Sequence, residues 1–245
     1  HDALGDINNY YSAYLSHFDD TWAKALMTEE DRANNLITFD FTNAAPIQIE
    51  NAYTCGEEDG IPSNVPVYTA ISSGNWDNAE NWDKGLSPTS GVIVVIPQQH
   101  SIEISSSSKR LYKTRINGKL WIDPTTTRHN LGLVDGSGTI AVESPNLPSG
   151  NFSTYFTSSS GGTVEFGGYF SNVLDERFTE YKNLSIIGNG TKTLPNSNIL
   201  IRGNLTIKEK ADLKFGSDNS TYYDLNVQGN ILISDSAKLT FPQKS

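Results

Sequence analysis

The stretches GNLTIKEKADLKF (203–215) and GNILISDSAKLTF (229–241) align without a gap, 26 residues apart. Gly203/Gly229, Asn204/Asn230, Ile207/Ile233, Ala211/Ala237, Leu213/Leu239 and Phe215/Phe241 are identical pairs. Within each stretch apolar residues alternate, Leu205 with Ile207 and Ile231 with Ile233. Alternation sends those side chains to one face of a strand. The leading Gly and Asn tolerate the left-handed backbone of a sharp corner.

The pattern extends upstream. NILIRGN (198–204) aligns with DLNVQGN (224–230), and NLSIIGNGTKTL (183–194) starts a comparable unit 21 residues before NLTI. Fainter echoes are GKLWID (118–123), GTIAVES (138–144) and GGTVEF (161–166). A period of 20–26 residues holding two or three short strands is one coil of a β-solenoid. A single coil cannot bury its own apolar row, so its stability comes from its neighbours. Solenoid ends also need cover against edge pairing. Ser245 follows a clear repeat with no visible cap, so the repeat domain is expected to continue beyond it. The expected fold is mainly β: a β-solenoid (parallel β-helix-like) over 67–245, after a short helical and irregular N-terminal region, 1–66.

That N-terminal region reads differently. In DINNYYSAYLSHFDDTWAKAL (6–26), Ile7, Tyr11, Tyr14, Leu15, Phe18, Trp22, Ala25 and Leu26 fall at three- and four-residue steps. Such spacing predicts a helix over 6–35, with Asp6 and Thr28 as caps. Its aromatic face would pack on the rest of the protein, plug the end of an elongated β fold or dock on a partner. ITFDFT (37–42) alternates and predicts a strand. Residues 45–66, rich in Pro and Gly, predict a loop or linker.

Where the solenoid begins, the chain reads GNWDNAENWDKGLSPTSGVIVVIP (74–97). Trp76 and Trp82 either stack on sugar faces or pack beneath the first coil. In the second case Pro88-Thr89-Ser90-Gly91 turns the chain into Val92–Ile96. With its flanks, SSGNWDNAENWDKGLSPTSGVIVVIPQQHSIEI (72–104), this stretch resembles the opening segment of large surface proteins of Bacteroidota. NLSIIGNGTKTLPNSNILIRGNLTI (183–207) is similar to repeats of the same proteins. The resemblance covers about residues 72–245.

It implies a non-enzymatic protein exported by the type IX secretion system, extracellular or on the cell surface after crossing the outer membrane. The role implied is adhesion, surface structure or gliding motility. The implied partners are the type IX machinery or other outer-membrane surface proteins. The family often carries Asp before the Val-x-Ile-Pro strand, where this chain has Gly91-Val92-Ile93. The sorting signal such proteins carry at the C-terminus is not present in 1–245. Asp235-Ser236-Ala237 resembles the short O-glycosylation motif of the same phylum, which makes Ser236 a candidate glycan acceptor.

Composition narrows the chemistry. Lys and Arg number 18 against 28 Asp and Glu, a formal charge of −10. Such a chain repels nucleic-acid phosphates and an anionic membrane surface alike. No apolar run approaches the ~20 residues that span a bilayer, so no membrane insertion is expected. Cys55 is the only cysteine, which excludes an intrachain disulfide and a cysteine-based zinc site. Glu57-Glu58-Asp59 are consecutive, whereas calcium loops space their oxygen ligands. His1, His17, His100 and His129 form no metal spacing. No cofactor is expected.

Asp175, Glu176 and Glu180 in NVLDERFTEY (172–181) are the candidate acids for a polysaccharide-active β-helix. Their spacing also suits a short helical excursion with Glu176 and Glu180 on one exposed face. For glycan contact the leading aromatics are Trp76, Trp82 and Trp121, with Tyr155, Tyr169, Tyr222 and Tyr223 behind them. The Asn-x-Ser/Thr triplets at Asn151, Asn183, Asn189, Asn204 and Asn219 follow the coil pattern, with Asn at a corner.

Overall fold

The computed structural model describes residues 65–105, 108–124, 129–215 and 223–241, together with four strands earlier in the chain. The chain divides into two units, His1–Pro66 and Val67–Ser245.

In the first unit the described segments are strands: Tyr10–Leu15 (β1), Trp22–Asp31 (β2), Leu36–Phe39 (β3) and Tyr53–Glu57 (β4). They form an antiparallel sheet in the order β3-β2-β1-β4. The helix expected over 6–35 is therefore replaced by β1 and β2 wherever that stretch is described, and Thr28 lies inside β2 instead of capping a helix. YYSAYL is rich in aromatic residues, which fit a pleated surface well. Its backbone pairs on one side with β2, Tyr11 opposite Leu26, and on the other with β4, Ser12 opposite Cys55. The second partner is far away in sequence, and a local periodicity cannot register it. Likewise β4 interrupts the stretch expected as a linker. The strand expected at 37–42 is present as β3. Asp6, Glu58, Asp59, Asn219 and Tyr222 lie outside the described residues.

The second unit is a parallel β-solenoid; among its described residues the helical elements are a short helix at Ser153–Thr157 (α1) and a 3-10 turn at Ala79–Asn81. Its longest face has eight strands. In stacking order they are Gly74–Asn75 (β6), Ser101–Ile104 (β8), Lys119–Ile122 (β10), Thr139–Val142 (β12), Thr163–Phe166 (β14), Asn183–Ile186 (β16), Leu205–Ile207 (β19) and Ile231–Ile233 (β22). A second face stacks Val67–Thr69 (β5), Ile93–Ile96 (β7), Lys113–Ile116 (β9), Asn130–Asp135 (β11) and Ser149–Asn151 (β13). Two three-stranded faces complete the later coils. One holds Glu180–Tyr181 (β15), Ile199–Ile201 (β18) and Leu225–Val227 (β21). The other holds Thr191–Thr193 (β17), Asp212–Lys214 (β20) and Lys238–Thr240 (β23).

Register explains the alternation read from the repeats. On the long face Ile102, Leu120, Ile140, Val164, Leu184, Leu205 and Ile231 stand directly above one another. Ile104, Ile122, Val142, Phe166, Ile186, Ile207 and Ile233 form a second column two residues on. All but the last member of each column are buried. Burying one such side chain contributes roughly 1.5–3 kcal/mol, and the stack realises that gain only because each coil covers the one before it. Between the columns, in register, lie Glu103, Trp121, Ala141, Glu165, Ser185, Thr206 and Leu232, of which Ala141 and Ser185 are buried and the others at least partly exposed.

Corners are held by glycine and by side-chain amides. A Cβ on Gly138 would sit 2.0 Å from the Gly118 carbonyl oxygen of the coil below, so no larger residue fits there. The turns after β19 and β22 each use two consecutive non-glycine residues in the left-handed region. These are Glu209 and Lys210 (φ 56° and 65°), then Asp235 and Ser236 (φ 57° and 63°). The 26-residue repeat therefore copies backbone conformation as well as side-chain pattern.

Candidate functional site

The opening segment becomes intelligible in this frame. Trp76 follows β6, and its N–H donates to the Glu103 carbonyl at 2.7 Å, which places it at the head of the second apolar column. Trp76 and Trp82 are 0% and 1% exposed, so neither offers a face to a sugar. Both indole N–H groups are satisfied internally. Trp76 Nε1 donates to the Pro88 carbonyl at 3.1 Å and Trp82 Nε1 to the Trp76 carbonyl at 2.8 Å. Asn81, also buried, bridges the same turn. Its Nδ2 donates to the Asn75 carbonyl at 2.8 Å and its Oδ1 accepts from Ser72 Oγ at 2.6 Å. The expected turn at 88–91 is present, with Gly91 at φ 76°, and leads into β7. Of the two readings of the tryptophans, packing under the first coil is the one the geometry supports.

Trp121 is placed differently. It occupies the outward column of the long face, partly exposed between buried Leu120 and Ile122. Its register neighbours are Glu103 and Ala141. Beside it Lys119 Nζ reaches across β12 to Glu165 Oε1 at 2.8 Å. Among the three leading aromatics, Trp121 alone lies on an outer surface. Tyr155 is fully buried, its hydroxyl donating to the Gly138 carbonyl at 2.7 Å. Burial disfavours the phenolate and pushes its pKa well above the ordinary tyrosine value. Tyr169 is 87% exposed, and Tyr223 is partly buried against the core.

The three candidate acids do not converge. Asp175 is 2% exposed, and both its oxygens are occupied. Arg177 Nη2 donates to Oδ2 at 2.6 Å and Arg177 Nε to Oδ1 at 2.9 Å. The Leu147 N–H adds a third bond to Oδ2 at 2.9 Å. Glu180, on β15, pairs with Arg202 one coil on. Glu176 is exposed on the turn between them. The helical excursion expected here is a turn at Glu176-Arg177 instead, because Asp175 draws the chain back to cap Leu147 and Arg177. Phe178 next to it joins a ring cluster with Phe152 and Phe156, centroids 5.3 and 5.4 Å away. Ser236 lies on the exposed left-handed turn after β22.

Among the described residues, Lys192 and His129 are buried ionisable groups whose burial a reading of the sequence alone misses. Lys192 fills an inward position of β17, directly below Leu213 and Leu239 in register, and is 0% exposed. Its ammonium donates to the Gly168 and Asn189 carbonyls at 2.8 and 2.6 Å and lies 4.9 Å from the Phe170 ring centre. Burial lowers its pKa. The one available signal was the alignment of TKT with DLK and KLT, where the middle residue is otherwise Leu. His129 is 1% exposed, and its Nδ1 accepts the Lys109 N–H at 3.0 Å. Its Nε2 is buried without a hydrogen-bond partner. Desolvation first, then the neighbouring Lys109 charge, lower its pKa against the opposing pull of Asp77. Lys109 itself pairs with Asp77 at 2.6 Å.

Among the described residues no three His, Cys, Asp or Glu side chains gather as a metal site, and no helix is long and apolar enough to cross a membrane. No family model, curated protein or solved structure matches this chain.

Proposed function

We propose that this chain is a non-enzymatic surface or secreted repeat protein of the Bacteroidota type. It is exported by the type IX secretion system and acts in adhesion, surface structure or gliding motility. The observation that carries this reading is the long face itself. Six coils after β6 repeat the same buried columns, while Glu103, Trp121, Glu165 and Thr206 lie partly exposed at the matching positions between those columns. An array of that kind is stiff along its length and presents groups at fixed intervals. The candidate acids add support, because Asp175 is engaged by Arg177 within its turn and by the Leu147 N–H from an earlier coil, and Glu180 by Arg202 of the next coil. Its partners in this reading are the export machinery or other outer-membrane surface proteins, and Ser236 is a candidate glycan acceptor.

The test is the location of the full-length protein in a Bacteroidota host. External protease should degrade it on intact cells. A strain lacking the type IX translocon should retain it in the periplasm. Equal surface exposure in both strains would overturn the export route.

A second reading, glycan binding or action on polysaccharide at the long face, rests on Trp121. It is an outward aromatic beside Glu103 and the Lys119–Glu165 pair, a combination of stacking surface and polar anchors suited to a sugar ring. Affinity electrophoresis in polysaccharide-containing gels tests it. Retardation that Trp121→Ala abolishes without changing the melting temperature would support it; unretarded migration in every polysaccharide would dismiss it.

A further inference from the structure

The solenoid contains two Asn-Gly pairs, Asn117-Gly118 and Asn189-Gly190. In such a pair the backbone can attack the asparagine side chain, because glycine has no Cβ to hinder the approach. The attacking atom is the glycine amide nitrogen, and it reacts once its proton has left. What the fold does with that N–H therefore decides how each pair behaves.

At Asn117-Gly118 the fold ties the group up. The Gly118 N–H donates to the Ile96 carbonyl at 2.9 Å, inside the stack. Asn117 Oδ1 is turned to the Ser137 N–H of the next coil, at 3.4 Å.

At Asn189-Gly190 the arrangement is the reverse. Asn189 is exposed to water, and the Gly190 N–H donates to the Oδ1 of this same asparagine at 2.9 Å. The carbonyl oxygen of the same peptide group accepts from the Lys192 ammonium at 2.6 Å. Lys192 is fully buried, so little water lies between its charge and that oxygen to screen it. A cation on the oxygen of a peptide group stabilises the anion left when its N–H loses the proton. Nucleophile, target carbon and activating charge thus meet within residues 189–192.

We propose that Asn189-Gly190 is a self-modifying site, at which Lys192 promotes the conversion of Asn189 to aspartate and isoaspartate. The inference rests on the fold and is independent of the surface role proposed above. Gly190 N, deprotonated by solvent, attacks Asn189 Cγ. The N–Cγ bond forms, the Cγ–Nδ2 bond breaks, and the side-chain nitrogen takes up protons from solvent and leaves as ammonia. One water molecule then opens the cyclic imide. Opening at Cγ yields aspartate. Opening at the main-chain carbonyl carbon yields isoaspartate, with the chain rerouted through Cβ and Cγ and that carbonyl turned into a carboxylate. Lys192 polarises this second carbonyl toward water and ends beside the new carboxylate. The buried ammonium thereby exchanges a neutral acceptor for a counter-ion.

The experiment incubates the full chain folded and, in parallel, unfolded in guanidinium chloride at the same pH. Mass spectrometry follows the peptides that span each pair, and chromatography separates aspartate from isoaspartate. Folded Asn189 should convert at least about tenfold faster than unfolded Asn189, the order of effect that a neighbouring opposite charge has on an ionising group. Asn117 should convert more slowly folded than unfolded. Lys192→Met, its fold checked by circular dichroism, should bring Asn189 down to the unfolded rate. Folded Asn189 converting no faster than unfolded Asn189 overturns the proposal, and that comparison needs no variant. Equal rates at Asn189 and Asn117 in the folded chain overturn it as well. So does an undiminished rate in folded Lys192→Met, because the buried charge would then not be the cause.

Discussion

Trp82 stands edge-on to Trp76, ring centres 5.0 Å apart and planes at 64°, while its indole N–H holds the Trp76 backbone carbonyl. One side chain thus contributes apolar volume, a ring contact and a hydrogen bond to the head of the stack. Replacing it removes all three at once.

Trp82→Ala should therefore lower stability by about 3–5 kcal/mol, the range for deleting a large buried aromatic. Trp82→Phe keeps most of the volume and should lose less. Urea unfolding followed by far-UV circular dichroism measures both. Glycan affinity lost from Trp82→Ala at unchanged stability would contradict the packing assignment.

The acidic candidates separate by their partners. Arg177→Ala leaves the buried Asp175 carboxylate without its main counter-ion and should cost roughly 2–3 kcal/mol. That is below the range for a fully buried pair, because the Arg177 side chain is 50% exposed. Glu176→Gln, on the exposed turn, should stay within about 0.5 kcal/mol. Equal losses from the two variants would mean that the Asp175–Arg177 contact is not what holds this turn.

His129 predicts an acid-side weakness. Its folded pKa lies below the unfolded value of about 6.5. The unfolded state then binds the proton first, so this contribution is fully present above about pH 6.5 and is lost as the pH falls toward the folded pKa. His129→Asn keeps an acceptor for the Lys109 N–H and cannot take up the proton. Between pH 7.5 and 5 the variant should lose less stability than the parent chain, measured as the difference in urea midpoints. Parallel losses would remove His129 as the cause.

Lys192 acts in the opposite pH range. Its folded pKa is lowered below the ordinary lysine value. Between the two, the unfolded state holds the proton more tightly, so stability should rise with pH as the folded pKa is passed. Lys192→Met should abolish that rise. At neutral pH it should cost about 1–3 kcal/mol, because the Gly168 and Asn189 carbonyls lose their shared donor. Thermal unfolding at pH 7 and pH 10 tests both parts.

How far these features were legible varied with how local their cause is. The Gly-Asn corners and the alternating Leu205/Ile207 and Ile231/Ile233 pairs announced a solenoid coil, and the observed register sets Leu205 opposite Ile231. The same reasoning misread Tyr10–Leu15 and Trp22–Asp31. Three- and four-residue spacing is a helical signal only until a strand such as Tyr53–Glu57 offers its edge. It also placed Glu176 and Glu180 on a helix that the Asp175–Arg177 bond replaces with a turn. Trp76 and Trp82 were correctly located at the start of the solenoid and read chiefly as packing there, yet their composition alone also fitted a sugar platform.

What the amino-acid sequence determined by itself is the coil: where glycine lets one backbone approach the next, where asparagine turns the corner, and which alternate residues must be covered. These are local demands, repeated every 20–26 residues, and each is met by a neighbour carrying the same pattern. Only the tertiary structure decided that two tryptophans lie inside and a third outside, that Lys192 takes a leucine position, and that the described strands of the first unit pair as a sheet. Those outcomes depend on which distant backbone and carbonyl groups arrive alongside, and no window of sequence contains them.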